Sequence, residues 1–267
     1  MDHRTVKLGK RPARHDPRTL RLGDYLLPRL PTPKPRVDYA TKVPAGQWGM
    51  MANDKIGDCT CAAAGHMIEE WTAWSKPKMI VPADRDIVRA YSAITGYDPE
   101  DPATDQGAYE LDVLKYWRKK GIAGHRIVAF VALEPGNHDH VRDAIELFGN
   151  CYIGLALPIS AQNQRVWTVP PGGPVGPGAP GSWGGHAVPV VGYDPRTLTV
   201  VTWGALQRMT WRFWSTYCDE AYAVLSKDWL DKHGVNPEGF DLAALENDLS
   251  ALTGQAIALR GFASPAV

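Results

Sequence analysis

Residues 53–74 read NDKIGDCTCAAAGHMIEEWTAW, and this stretch decides the fold. From Cys59 to Trp74 apolar residues recur at spacings of three and four, which predicts a helix with Asp58 at its N-cap. Cys59 then lies in the first helical turn. The helix dipole and the unpaired backbone N–H groups of that turn stabilise a thiolate and lower the pKa of the thiol. The pattern therefore predicts a nucleophilic cysteine at a helix N-terminus.

The second informative stretch is GGHAVPVVGY at 184–193, which places His186 at the start of an apolar strand behind two glycines. A thiolate and a substrate can both approach a base in that position closely. Cys59 and His186 occur in the order nucleophile then base, 127 residues apart. Each residue also has a structural alternative, because buried free cysteines are usually inert and a histidine beside a strand usually serves packing.

Outward from these two motifs, helical patterns precede strand patterns along the chain. Such a segregation predicts an α+β protein with two lobes, and clefts between lobes are common ligand sites. The predicted helices after the first are at 84–95, 107–120, 139–148 and 241–252, and the predicted strands are at 127–133, 151–157, 187–193, 197–203 and 221–225.

Charge divides the chain unevenly, although 29 Lys and Arg balance 29 Asp and Glu overall. Residues 1–36 hold ten Lys or Arg against three Asp, a net charge of +7 that leaves −7 on the remainder. Six prolines in this arm disfavour helix and predict an extended segment. It is interpreted either as a tether to an acidic partner or nucleic acid, which would allow protein assembly, or as a strap over the surface of its own domain. Overall neutrality makes nucleic acid an unexpected partner.

The cysteine count and the apolar runs predict the cellular compartment of the protein. Four cysteines in 267 residues are too sparse for a disulfide scaffold. Residues 1–7 lack the apolar core of a secretory signal, and no run of about 18 apolar residues predicts a membrane span. We therefore expect a protein with reduced thiols that is cytoplasmic or virion-associated and does not contact a membrane.

Other candidate sites have stronger structural interpretations. Cys59, Cys61 and His66 could be imagined as zinc ligands, but alternate helix positions point apart, so we expect neither a metal nor a cofactor. The 138–140 segment, His-Asp-His, is interpreted as a helix cap rather than a cation site. Five Pro and seven Gly make 169–185 a surface loop, either a flap beside the site or a tolerated insertion.

Together these motifs resemble those of the papain-like cysteine peptidases, in particular a divergent bacterial and phage-encoded branch. Gly57-Asp58-Cys59-Thr60 resembles the family's nucleophile segment, and GGHAVPVVGY resembles its histidine-bearing strand. Thr202-Trp203-Gly204 resembles the segment that normally reads Asn-Ser-Trp-Gly. Asp105-Gln106-Gly107 resembles, more weakly, the glycine-bearing wall of the cleft.

The resemblance implies a papain-like fold over 37–235, with an N-terminal helical lobe, a C-terminal antiparallel β lobe and the site in the cleft between them. The arm, 1–36, precedes this domain, and a helical tail, 236–267, packs on it. The implied cleft residues are Gly185, Gly107 and Trp203.

For catalysis, the resemblance implies Cys59 as nucleophile, His186 as base and Asn53 in the oxyanion hole, where the family has Gln. Val201 or Thr202 occupies the place of the family's orienting Asn, and Thr202 is the candidate for the orienting role. Thr60 and Ile56 replace a usual Trp and a usual disulfide-forming Cys.

The implied function is a cysteine peptidase or amidase that cleaves peptide or protein substrates. The alternative is a catalytically impaired papain-like domain that serves as a structural or binding module, for example in a phage virion or a host-interaction protein. A third hypothesis is an amide hydrolase for cell-wall peptides.

Overall fold

The computed structural model describes residues 6–28, 30–233 and 240–258. Three predicted segments lie partly outside the described residues: the arm, the segment tested for a secretory signal and the C-terminal tail. Within the described part of the chain, helices dominate the first half and a mixed, mainly antiparallel sheet dominates the second half.

The described residues contain seven α-helices. The first is buried over most of its length, which explains why its sequence is rich in Ala, Gly and Cys: small side chains let neighbouring elements approach on every side. The helices are α1 (Cys59–Ser75), α2 (Asp84–Thr95), α3 (Glu110–Lys120), α4 (His138–Phe148), α5 (Trp211–Tyr217), α6 (Lys227–His233) and α7 (Leu242–Thr253).

Eight strands form one sheet in the order β2-β8-β3-β5-β6-β7-β4, with β1 paired to β5. All pairs are antiparallel except β4 with β7. The long central strand β5 is buried along most of its length, as a strand covered on both faces must be. The strands are β1 (Val37–Asp38), β2 (Ile127–Ala132), β3 (Cys151–Leu157), β4 (Val166–Trp167), β5 (Gly184–Tyr193), β6 (Thr197–Thr202), β7 (Ala205–Thr210) and β8 (Cys218–Ser226).

Two large apolar cores correspond to the two lobes. One lies among α1, α2 and α3 and includes the fully buried Trp71 and Trp117, whose ring centroids are 5.7 Å apart. The other lies on the sheet side among α4, α5 and α7 and includes Trp167 and Phe213. This division confirms the predicted α+β fold with a helical lobe and a β lobe.

The predicted elements are present, with differences at several ends. Helix α3 begins at Glu110 instead of 107, because Gly107 has φ +69° and a left-handed residue cannot continue a right-handed helix. Strand β8 begins at Cys218, so it includes the charged pair Asp219 and Glu220 that an apolar run excludes. The sequence pattern missed β7 and α5.

The helix caps also differ from expectation. Asp58 precedes α1, but its side chain makes no capping hydrogen bond. At α4 the cap is Asn137, whose side-chain oxygen accepts from the N–H groups of Asp139 and His140, so the predicted cap lies one residue earlier than the 138–140 segment. Within the described ranges, no helix has the length and apolar character needed to cross a bilayer.

Candidate active site in the interlobe cleft

Cys59 and His186 lie on two elements that pack together, α1 and β5. Cys59 is the first residue of α1, and His186 is the third residue of β5. The backbone N–H of Ala187, the residue directly after His186, lies close enough to the Cys59 sulfur to favour its thiolate. The fold thus brings Cys59 close to the residue that follows His186, although Cys59 and His186 are 127 positions apart in sequence.

The imidazole of His186 is held by two neighbours on the β lobe. Its Nε2 lies 2.6 Å from the Thr202 hydroxyl, at hydrogen-bonding distance. The Trp203 indole stacks on the ring, with centroids 4.4 Å apart and planes 15° from parallel. Trp203 has φ +46° in the tight turn that joins β6 to β7, and Gly204 follows with φ +69°. This unusual backbone directs the indole over the histidine.

Asn53 lies on the turn that leads into α1. Met51 and Ala52 before it both have left-handed φ angles, of 58° and 65°, so the turn is tightly folded. The Asn53 side-chain amide donates to the carbonyl oxygen of Ile56 at 3.2 Å. Its backbone carbonyl accepts from the N–H of Lys7 at 3.2 Å. The turn therefore places Asn53 on the same wall of the cleft as Cys59.

The glycine-bearing wall is fastened to the nucleophile turn. Asp105 accepts a hydrogen bond from the Gly57 N–H at 2.9 Å with one oxygen and from the Tyr91 hydroxyl at 2.6 Å with the other. The Tyr91 oxygen in turn accepts from the Gly107 N–H at 2.8 Å. This network links Gly107, two residues after Asp105, to the segment that carries Cys59.

The basic arm crosses the cleft directly over this site. We call residues 7–11 the arm segment. The N–H groups of Gly9 and Lys10 donate to the Gly185 carbonyl at 3.2 and 3.0 Å. On the opposite wall, Ala108 donates to the Gly9 carbonyl at 2.8 Å, and the Arg11 N–H donates to the Ala108 carbonyl at 2.9 Å. The arm segment is thus hydrogen-bonded to both lobes.

Glycine on both sides makes this close approach feasible. A Cβ on Gly9 would lie 1.7 Å from the Gly57 carbonyl oxygen. A Cβ on Gly107 would lie 2.1 Å from the Gly9 oxygen, and one on Gly185 would lie 2.1 Å from the Lys10 oxygen. The predicted cleft residues Gly107 and Gly185 therefore line the track of the arm segment. The third, Trp203, donates from its indole nitrogen to the Lys7 carbonyl at 3.1 Å.

The pKa of the covered Cys59 thiol is raised, whereas its position at the helix N-terminus predicts a lowered pKa. Burial raises the pKa of Cys59 to about 12, and the nearby Asp58 carboxyl adds to the effect. The N–H groups of Ala187 and Gly9 act in the opposite direction but do not outweigh burial. The helix dipole argument fails here because it assumes a partly exposed thiol, and the arm segment removes water from the site.

Four charged residues beside the site were not singled out from the sequence: Lys10, Glu110, Asp219 and Glu220. The Lys10 ammonium forms ion pairs with Asp219 and Glu220 at 2.8 and 2.9 Å. A signal was present, since Asp219 and Glu220 form a charged pair at the start of an otherwise apolar run. Only the fold shows that Lys10, more than 200 residues away, lies against them.

The remaining candidates have packing roles or lie beside the site. His66 is buried, and its Nε2 lies 2.7 Å from the Gly49 carbonyl oxygen. No group of three or more metal-binding side chains occurs among the residues that the structure describes. The glycine- and proline-rich loop at 169–185 ends against the site, where Trp183 packs on Trp203 with centroids 5.7 Å apart.

Comparison with solved structures shows that the fold is papain-like. No protein-family model matches the sequence, and a search of curated proteins finds no match. Xylellain, a cysteine protease from Xylella fastidiosa, superposes with a TM-score of 0.63 at 17% identity, over 83% of this chain and 96% of that chain. Digestive procathepsin L 3 from Tenebrio molitor larval midgut gives 0.57 at 12% identity, over 83% and 76%.

A third similar structure is the cysteine protease and lectin-like domains of Cwp84 from Clostridium difficile. It superposes with a TM-score of 0.54 at 12% identity, over 84% of this chain and 57% of that chain. These likenesses confirm the resemblance to papain-like cysteine peptidases at the level of the fold. The low identities fit a divergent branch.

Proposed function

We propose that this chain is a cysteine peptidase that cleaves peptide bonds in the interlobe cleft through Cys59 and His186. The observation that carries the proposal is the packing of α1, which begins at Cys59, against β5, which carries His186, on a papain-like fold. A Cys and a His brought together at a helix N-terminus and a strand are the arrangement that nucleophilic catalysis requires.

In the proposed reaction, His186 takes the proton of the Cys59 thiol, and the thiolate attacks the substrate carbonyl carbon. The Thr202 hydroxyl bonds Nε2 of the imidazole, so Nδ1 is the nitrogen that exchanges the proton. His186 then protonates the leaving amine, which departs and leaves an acyl-enzyme. A water molecule activated by the same imidazole hydrolyses the thioester and restores the thiol.

The oxyanion formed in each step needs donors at the helix start. The backbone N–H of Cys59 is a first-turn amide, which has no partner within its helix. The Asn53 side-chain amide is the proposed second donor, and this role requires one of its two N–H groups to turn from Ile56 or Asp58 toward the oxyanion. Loss of one such donor typically lowers kcat by about two to three orders of magnitude.

The arm segment must leave the cleft before a substrate can enter. It is hydrogen-bonded to both walls and covers the thiol, so the form described here is a closed one. Displacement of the arm exposes Cys59 to water and removes the main cause of its raised pKa. Peptidase activity is therefore proposed for the chain with the arm segment displaced or cleaved.

The proposal is tested by chemical labelling of the full chain with Gly9→Ala, a change that sets a methyl group against the Gly57 carbonyl oxygen. Iodoacetamide is added at mildly acidic pH, and adducts are mapped by mass spectrometry on all four cysteines. Cys218, the most exposed of the other three, is the internal reference. We expect Cys59 to be labelled at least tenfold faster than Cys218, and His186→Ala to abolish the difference. Equal rates would contradict an activated nucleophile.

A second candidate is a papain-like domain without catalysis that acts as a binding module in the cytoplasm or in a virion. It is favoured by Thr202 in place of the usual orienting Asn. Assembly through the basic arm is less favoured, because its cations contact this chain's own carboxylates, as Arg14 does with Asp112 and Lys34 with Glu146. Fast labelling of Cys59 without turnover of any peptide would support this candidate.

A further inference from the structure

The side chain of Lys10 is inserted into a pocket between the lobes, where it is 1% exposed. Its ammonium nitrogen lies 2.8 and 2.9 Å from the two carboxylate oxygens of Asp219 and 2.9 Å from Glu220 Oε1. It also donates to the Arg11 carbonyl oxygen at 3.1 Å. Every direction in which an ammonium can donate is met by an oxygen atom.

Both lobes contribute to this pocket. Glu110 is the first residue of α3 in the helical lobe, whereas Asp219 and Glu220 belong to β8 in the β lobe. Gly154 on β3 forms the floor: a Cβ there would lie 2.0 Å from Lys10 Cε and 2.9 Å from Asp219 Oδ1 and Glu110 Oε1. Glycine leaves the depth that a long side chain needs. We call these four residues the acidic pocket.

The pocket contains three carboxyl groups against one ammonium. Burial by itself would lower the pKa of Lys10, but Glu110, Glu220 and Asp219 outweigh it and raise that pKa above its ordinary value. Burial, together with the charge of Glu220, raises the pKa of Glu110. An apolar occupant would leave the carboxylates to repel one another, and an anionic occupant would add to the repulsion.

One hydrogen bond holds the Glu220 carboxylate in position whichever side chain occupies the acidic pocket. The Tyr222 hydroxyl donates to Glu220 Oε2 at 2.9 Å, so Oε1 is directed at the ammonium. The carboxylate is thus oriented by the β lobe itself, not only by Lys10.

The acidic pocket is also adjacent to the thiol along the track of the arm segment. Gly9, the residue before Lys10, has its backbone N–H close enough to the Cys59 sulfur to favour the thiolate. The Lys10 N–H donates to the Gly185 carbonyl at 3.0 Å. Another peptide in this track would place one side chain in the acidic pocket within a residue or two of the bond at the thiol.

We propose that the acidic pocket binds a lysine or arginine side chain of the substrate close to the scissile bond, and that Lys10 occupies it as a built-in substitute for that side chain. The inference rests on the proposed peptidase function for its effect on cleavage. Recognition of the side chain is measurable by binding even in a chain that does not cleave.

The experiment uses the full chain with Lys10→Ala, which empties the acidic pocket but keeps the backbone of the arm. A nonapeptide scaffold carries Lys, norleucine or Glu at each position in turn. Cleavage is followed as kcat/KM on this chain, and binding is followed by fluorescence polarisation on the same chain with Cys59→Ala. Residual competition from the arm lowers all values equally, so the ratio between matched peptides reports on the pocket.

We expect Lys to be preferred over norleucine by at least about tenfold at one position, and Glu to be the poorest, because a buried carboxylate cluster discriminates by charge. Glu220→Gln keeps the shape of the pocket and removes one charge, so it should reduce the preference for Lys over norleucine several-fold. Glu100→Gln, an exposed carboxylate on a surface turn, is the matched control and should leave the ratio unchanged. Because Lys10→Ala could fold poorly, the same peptides are also measured on the unmodified chain, where the same order is expected at lower rates.

The outcomes separate the two proposals. Binding that favours Lys without any cleavage would support the acidic pocket and contradict the peptidase. Cleavage with no preference for Lys, or a preference that Glu220→Gln leaves intact, would overturn the pocket inference and keep the peptidase. Failure of every peptide to bind or to be cleaved would overturn the inference and show that the acidic pocket only anchors the arm.

Discussion

The imidazole of His186 and the indole of Trp203 lie face to face, with centroids 4.4 Å apart and planes at 15°. Trp203 is fully buried, so one face of the proposed base is shielded from water. On the ring edge the Thr202 hydroxyl fixes Nε2. These two adjacent residues therefore contact the imidazole of His186 on its edge and on one face.

Replacement of Trp203 should weaken catalysis by loosening the imidazole. Trp203→Ala in the Gly9→Ala background is expected to lower kcat about fivefold, since aromatic stacking contributes about 1 kcal/mol beyond burial. It should also lower the free energy of unfolding by about 3–5 kcal/mol through the cavity it leaves. Trp203→Phe keeps a ring over the imidazole and should retain most of kcat. Steady-state kinetics and urea titration check both effects, and full kcat in the alanine variant would contradict a positioning role.

The Thr202 hydroxyl is expected to act on His186 through its hydrogen bond and not through its volume. Thr202→Val removes the hydroxyl at nearly constant shape and should lower kcat about fivefold, which corresponds to the loss of a hydrogen bond of about 1 kcal/mol. Thr202→Ser keeps the hydroxyl, so its kcat should stay close to that of the parent chain. A full pH profile of kcat is the readout, because a merely structural change would lower stability without altering the profile. Equal kcat in the valine and serine variants would argue against the orienting role.

Steric conflict at Gly9 should open the closed form. Gly9→Ala sets a Cβ 1.7 Å from the Gly57 carbonyl oxygen, which neither backbone can accommodate without displacement. We expect at least tenfold faster alkylation of Cys59 than in the unmodified chain, and faster amide exchange in residues 7–11. Gly172→Ala is the matched control, because its added Cβ meets no atom within 4 Å. If both glycine variants leave Cys59 equally protected, the arm segment is not what covers the thiol.

Stability should depend on pH through Glu69, outside the site. Burial raises the pKa of this carboxyl to about 8, from an ordinary value of 4.5, although it accepts a hydrogen bond from the Gly49 N–H at 2.9 Å. Between these two values the folded chain keeps a proton that the unfolded chain has released. Glu69 should therefore make stability fall as pH rises through this window, by about 1 kcal/mol per pH unit.

Glu69→Gln imitates the protonated carboxyl and should flatten the decline that Glu69 causes. The free energy of unfolding, from urea titrations at pH 5, 6, 7 and 8, measures the slope in each chain. Glu100→Gln provides the exposed control and should keep the parent slope. Parallel slopes in all three chains would show that Glu69 is ionised in the fold.

The α+β architecture and the ends of most long elements followed from the sequence alone. Helix α2 and strand β3 have the predicted bounds, 84–95 and 151–157, because apolar periodicity and flanking Gly or Asp residues are local signals. Strand β7 was not predicted, because its six residues include Gln207 and Arg208 and do not form an apolar run.

At the site, the sequence determined which residue types were available, and the tertiary structure decided their state. The motifs around Cys59 and His186 could be recognised in the sequence because the starts of helices and strands have local sequence patterns. Two properties could not be predicted from the sequence. They are the raised pKa of the covered Cys59 thiol and the burial of Lys10 among carboxylates of both lobes. Both depend on water being excluded by segments more than 45 residues apart in the chain, and no local pattern records which distant segment covers a group or neutralises its charge.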